Sequence, residues 1–240
     1  MNRNALLIGI VSALVGVVGG FLLANTLNRG ELSTLRTENE RLKTQTGSGG
    51  SSLNEGEINA TIAKADQNVA DLTLQRNVGV AIYRYAAMKQ DVTLLQQSVR
   101  ILTRAFDLKP DDYDVILTLG NAYFDIGYFS KDNDALAKAR EFYSKALVVK
   151  ADDVNVRTDV GLTYFLETPP DFARSITEFR RSLDTDPKHE KTLQFMIQAL
   201  AKQNNFAEAS KYLDQLRAVN PQNGSLRELA AMLIDQQPAG

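Results

Sequence analysis

The sequence predicts an all-α protein: an α-solenoid of about four helical hairpins and a capping helix, behind a single N-terminal transmembrane helix. Three observations carry this expectation. Gly79, Gly120 and Gly161 stand at equal intervals of 41 residues, each on an apolar run of helical period. Small residues and prolines recur in step with them. Residues 5–24, ALLIGIVSALVGVVGGFLLA, are uncharged throughout.

That first segment gives the anchor, residues 1–25. A helix of twenty residues covers about 30 Å, the hydrocarbon thickness of a bilayer. A cleavable secretory signal has a shorter apolar region and ends in a small-x-small site. Leu22 occupies the first small position before Ala24, which favours an uncleaved anchor. Ser12, Gly16, Gly20 and Ala24 recur every four residues, a smooth face on which a second membrane helix can pack closely.

Residues 26–44 form a short juxtamembrane helix. Leu32, Leu35, Asn39 and Leu42 are spaced as the seam of a coiled coil, with Asn39 at a register-setting position. Seam and smooth face together suggest a homo-oligomer. Residues 45–56, QTGSGGSSLNEG, read as a flexible tether with an r.m.s. span of roughly 17–21 Å. Gly47–Gly50 precede no strand and no lysine-bearing helix, so they are tether and not a phosphate loop.

Residues 57–240 hold the repeats, with units near 72–110, 112–150, 153–187 and 188–221 after a leading helix near 57–70. The register between the first two units is complete: Ser98 corresponds to Ala139, Leu102 to Tyr143, Ala105 to Ala146 and Pro110 to Ala151. KPDD closes one unit and KADD the next. Drift would not keep such a register. Pro187 and Pro221 bound a shorter final unit of 34 residues. The third, VRTDVGLTYF…SITEFRRSLDTDP, carries Gly161, Tyr164, Ser175, Phe179, Ser182 and Pro187, with two extra residues near Pro169-Pro170.

These residues resemble the tetratricopeptide repeat, a helix–turn–helix unit of about 34 residues with small residues at fixed places and a terminal proline. The resemblance covers roughly residues 72–221. Two helices approach to about 8–10 Å only where small side chains sit at their crossing. Gly120, Ala139 and Ala146 meet that need, while Tyr123 and Tyr143 fill the space between turns. Proline lacks an N–H and turns the preceding residue away from helix, so Pro110, Pro187 and Pro221 punctuate the units. Seven added residues are close to two helical turns. Shared between two helices, they lengthen each by about one turn and keep the same face inward. The chain closes with a capping helix over 224–237, whose Leu226, Leu229, Met232 and Leu233 form one apolar face.

The resemblance implies a concave groove lined by the first helix of each unit. Carried over residue by residue, the groove candidates are Arg76, Tyr83, Leu117, Asn121, Phe124, Thr158, Leu162, Phe165, Gln194 and Gln198, with Val80 beside them. Tyr83, Phe124 and Phe165 fall 41 apart and read either as an aromatic ladder in the groove or as core beneath lengthened helices. Val80, Asp159 and Phe195 depart from the pattern by which some relatives clamp a peptide carboxylate, so no such clamp is expected. An extended or helical segment of another protein suits this mixed groove better.

Composition narrows the rest. The chain carries 27 Lys and Arg against 29 Asp and Glu, without the basic face that nucleic acid requires. It has no cysteine and one histidine, which rules out disulfides, thiolate chemistry and Cys/His zinc sites. His189 begins a helix and reads as solvated or capping. KDND at 131–134 lacks the glycine and distant glutamate of a calcium loop. Glu141, Glu178 and Arg180-Arg181 read as solvated helix faces. No catalytic residue, cofactor or metal is expected.

The functional expectation is a membrane-tethered, non-enzymatic scaffold that binds protein partners, in the manner of bacterial envelope-assembly repeat proteins, including those of cytochrome c maturation. A self-assembling structural protein joined through anchor and seam is the alternative. The bacterial inner membrane is the expected location, with the side of the repeat domain undecided by the flanking charges.

Overall fold

Aspartates set the helix starts. Asp71, Asp112 and Asp153 lie 41 residues apart, and each accepts a hydrogen bond from the backbone N–H three residues on, at 2.9, 3.3 and 3.1 Å. A carboxylate in that position satisfies an N–H that the first turn leaves unpaired. Asp91, Asp132 and Asp171 do the same for the second helices. The closing Asp-Asp of KPDD and KADD is therefore the start signal of the next unit.

The structure is a computed structural model, and residues 55–234 are described. The expected anchor, seam and tether, with the small-residue face of Ser12, Gly16, Gly20 and Ala24, lie outside the described residues. Among those described there is no strand, and no helix is long and apolar enough to cross a membrane.

The ten described helices are α1 (Glu55–Gln67), α2 (Leu72–Lys89), α3 (Val92–Leu108), α4 (Tyr113–Ser130), α5 (Asn133–Val149), α6 (Val154–Phe165), α7 (Phe172–Thr185), α8 (Glu190–Lys202), α9 (Phe206–Val219) and α10 (Leu226–Ile234). Helices α2 to α9 form four antiparallel pairs, each stacked on the next. The surplus of the early units is divided between both helices. They have 18 and 17 residues in the first two pairs, against 12 and 14 in the third and 13 and 14 in the fourth.

The three evenly spaced glycines are where the pairs cross. A methyl group on Gly79 would sit 2.6 Å from Leu102 Cγ, on Gly120 2.7 Å from the Tyr143 ring, and on Gly161 2.4 Å from the Phe179 ring. Leu102, Tyr143 and Phe179 are fully buried. Each glycine lets its partner helix approach until a large side chain fills the space.

The turns inside the pairs differ. Gln90 and Lys131, again 41 apart, adopt left-handed backbone at φ 55° and 54°, and Asn204 does so at 59°. The third pair uses a longer turn through Pro169-Pro170. Asn133 pins that turn by two 3.0 Å bonds to the backbone of Thr168, and Arg140 pairs with Glu167 at 2.7 Å.

Both ends of the described array are closed. Ile58 and Ala65 of α1 join the core formed by Val78, Ile82 and Ile101, while Asn59, Ala60, Ala63 and Lys64 face outward. Asp66 of α1 pairs with Arg100 and Arg104 of α3, which hold its carboxyl down to about 2. At the other end α10 buries Leu229 and Leu233 and turns Arg227, Glu228 and Ala231 to solvent.

Candidate partner-binding face

The first helices of the pairs draw together along one side. α2 touches α4 and α6 touches α8 directly, whereas the second helices have no comparable contact with one another. This is the arrangement of a stack that bends toward its first helices. The inner side is therefore the candidate binding face.

Arg76 holds this side at its start, paired with Asp114 at 2.5 Å and Asp112 at 3.6 Å, and is 40% exposed. Leu117, Asn121, Phe165 and Gln198 are half-buried. Asn121 accepts the Tyr143 hydroxyl at 3.0 Å. Phe165 packs edge-on against Phe172 and Phe195.

Five other expected groove residues are interior. Tyr83, Phe124, Thr158, Leu162 and Gln194 are each less than a tenth exposed. The reason is helical phase. Tyr83, Phe124 and Phe165 each follow a crossing glycine by four residues, so they share its face and turn into the packing, Tyr83 among Leu95 of α3 and Ala122 and Ile126 of α4. Phe124 accordingly lies 6.5 Å from the Tyr143 ring. The aromatic ladder is thus packing, with only Phe165 partly accessible. Thr158 joins a buried hydroxyl cluster with Ser182 at 2.8 Å and Thr192 at 2.6 Å. Gln194 donates to Asn223 at 3.1 Å, tying α8 to the segment before α10.

The sequence reading missed a polar cluster that spans the inner helices. The Tyr83 hydroxyl of α2 hydrogen-bonds the Asp125 carboxyl of α4. Lys191 of α8 reaches Asp159 of α6 at 2.6 Å, with the lysine side chain 4% and the aspartate 13% exposed. Burial pushes Asp125 up to about 7; the Tyr83 bond works against this, and Asp159 adds to it. Burial likewise raises the Asp159 carboxyl, opposed by Lys191. The available signal was Asp125 itself, a charge set within the apolar run YFDIGYF. Arg84, at the corresponding place one unit earlier, is exposed.

His189 is a correction. It occupies the residue before α8 but makes no side-chain cap. Instead its ring bridges Thr192 at 2.6 Å and Asn155 at 3.1 Å, joining the third unit to the fourth, and burial lowers its pKa. KDND is a charged turn at an open surface dip, with Asp132 spent on capping α5. Among the described residues no cluster of three acidic or histidine side chains is placed to hold a metal.

Comparison with known proteins agrees with this architecture. Residues 171–233 match the tetratricopeptide repeat family. No curated protein matches the chain. Among solved structures it is similar to MamA AMB-1, at 22% identity over 69% of this chain and 81% of that one, with a TM-score of 0.52. MamA 41-end from Desulfovibrio magneticus RS-1 is similar at 14% identity, covering 80% and 97%, TM-score 0.55. A thermophilic TPR protein of Thermus thermophilus is similar at 15%, covering 74% and 99%, TM-score 0.53. At these identities the likeness is one of fold.

Proposed function

We propose a scaffolding role for this chain, which is a tetratricopeptide-repeat protein. It binds a segment of another protein along the inner face of the array and carries out no catalysis. One observation carries the reading: both ends of the described stack are covered by a helix, while the inner side leaves Asn77, Arg84, Leu117, Asn121, Asn155 and Gln198 wholly or partly accessible. Apolar stems among amide and basic groups suit a polypeptide with its own backbone amides to satisfy.

The uncharged stretch 5–24 supports a membrane tether, with 45–56 as its flexible spacer. A place in assembly of the bacterial envelope, at the inner membrane, is the setting we infer. Self-association, in this reading, runs through the anchor and the Leu32–Leu42 seam.

The test is site-specific photo-crosslinking of the full chain in native membranes. Probes at Asn77 and Arg84 are expected to capture the same protein, and a probe at Val148 on α5 is expected not to. No adduct at either inner position, or equal capture at Val148, removes the inner face as the binding surface. Protease digestion of spheroplasts fixes the side of the membrane.

A further inference from the structure

The turn that leads into α10 holds the chain's one Asn-Gly step, Asn223-Gly224. In such a step the following backbone nitrogen can attack the asparagine side-chain amide, because glycine has no Cβ to block the approach. Here the amide is gripped at both ends. Asn223 Oδ1 accepts from the Ser225 N–H at 2.9 Å and from Gln194 Nε2 of α8 at 3.1 Å, and Asn223 Nδ2 donates to Glu190 Oε2 at 2.7 Å. A backbone N–H only donates and a carboxylate only accepts, so the orientation of the amide is fixed. We propose that Asn223-Gly224 is a site of spontaneous covalent modification, where the fold promotes conversion of the asparagine to aspartate and isoaspartate and so loosens the end of the stack.

Three features favour the reaction. The Ser225 bond closes an Asx turn around the Gly224 peptide, which curls the side chain over the attacking nitrogen. Among the described residues the Gly224 N–H makes no hydrogen bond that attack would have to break. Two donors on Oδ1 stabilise the negative charge that grows there as Cγ becomes tetrahedral, the role of an oxyanion hole in acyl transfer. The Gly224 nitrogen bonds to Cγ and gives up its proton, the Cγ–Nδ2 bond breaks, and Nδ2 leaves as ammonia with that proton. Water opens the resulting succinimide ring at either carbonyl, leaving aspartate or isoaspartate.

The product cannot keep the original contacts. Glu190 Oε2 takes the Nδ2 of both Asn220 and Asn223, at 2.8 and 2.7 Å. Aspartate at 223 removes one of these donors and sets a second carboxylate against the first, and like charges that close repel. Isoaspartate in addition inserts a carbon into the main chain just before α10. That turn fixes α10 to α8, and α10 covers the end of the stack with buried Leu229 and Leu233. Conversion therefore uncovers the end of the array with time, whether or not a partner is bound.

Peptide mapping of the full chain tests this, with one sample kept folded at neutral pH and another unfolded in urea. The tryptic peptide 218–227 carries the site, and its other asparagine, Asn220, precedes a proline that has no N–H to give up. Conversion is expected about tenfold faster in the folded chain than in urea, less than one enclosed oxyanion donor gives an enzyme. Gln194→Met is expected to bring the folded rate down toward the unfolded one and to leave the rate in urea unchanged. Gly224→Ala, whose methyl meets nothing within 4 Å, is expected to slow conversion in both states. In Asn223→Asp, amide exchange of α10 is expected to rise while that of α4 does not. A folded rate no faster than the unfolded one, a folded rate untouched by Gln194→Met, undiminished conversion in Gly224→Ala, or unchanged exchange of α10 in Asn223→Asp overturns the proposal.

Discussion

Replacing Gly161 by alanine opposes two effects of known size. In a solvent-facing helix the change stabilises by about 1 kcal/mol, because glycine loses more backbone freedom on folding. Here the new methyl meets Phe179 Cε1 at 2.4 Å and Cδ1 at 2.6 Å, where carbon atoms rest at roughly 3.5–4.0 Å. The ring must retreat by about 1 Å. It is fully buried and stacked at 6.3 Å on Phe195, so no free volume receives it. Overpacking of this kind costs roughly 1–3 kcal/mol, leaving a net loss of about 0–2 kcal/mol. Gly120→Ala meets the Tyr143 ring, whose hydroxyl is tied to Asn121, and should lose about as much. Gly79→Ala meets Leu102, which has other rotamers, and should be nearest to neutral. Denaturant unfolding followed by circular dichroism ranks the three. Gly161→Ala combined with Phe179→Leu should recover part of the loss, since the pair is in contact. If Gly161→Ala raises the midpoint as it would in an exposed helix, the crossing-point argument is wrong.

Other perturbations follow from the same geometry. Lys131→Gly should stabilise by about 0.5–1 kcal/mol in denaturant titration, since Lys131 is held at φ 54° where glycine has no steric penalty. Asp153→Ala should cost about 1 kcal/mol for the lost cap, and more than Asp91→Ala, because Asp153 also accepts the Tyr113 hydroxyl at 2.5 Å. Lys191→Met strips Asp159 of its cation and should destabilise by roughly 3–5 kcal/mol at pH 8. Without the lysine the Asp159 carboxyl rises further, so the neutral form dominates at lower pH and the loss should shrink by pH 5; equal losses at both values would contradict this.

Much of the architecture was written in local chemistry. Recurring glycines, alanines and prolines carried the helical hairpins, and a surplus of seven residues could only be absorbed as added turns on both helices. The helix starts went unread, although the aspartates that set them need only the N–H three residues along. The face of each side chain was also less legible. Tyr83 and Phe124 looked like groove residues by correspondence with related repeats, although their distance of four from a crossing glycine already turned them into the packing.

The sequence alone determined the period, the pairing of helices and the capping of the C-terminal end, because these depend on spacing within a few turns. Only the tertiary structure decided which polar groups share a low-dielectric space. Asp125 and Tyr83 are 42 residues apart, and Asp159 and Lys191 are 32 apart. Their meeting depends on how much successive first helices bend toward one another. That bend is the sum of side-chain volumes packed between units, and no single stretch of the chain encodes it.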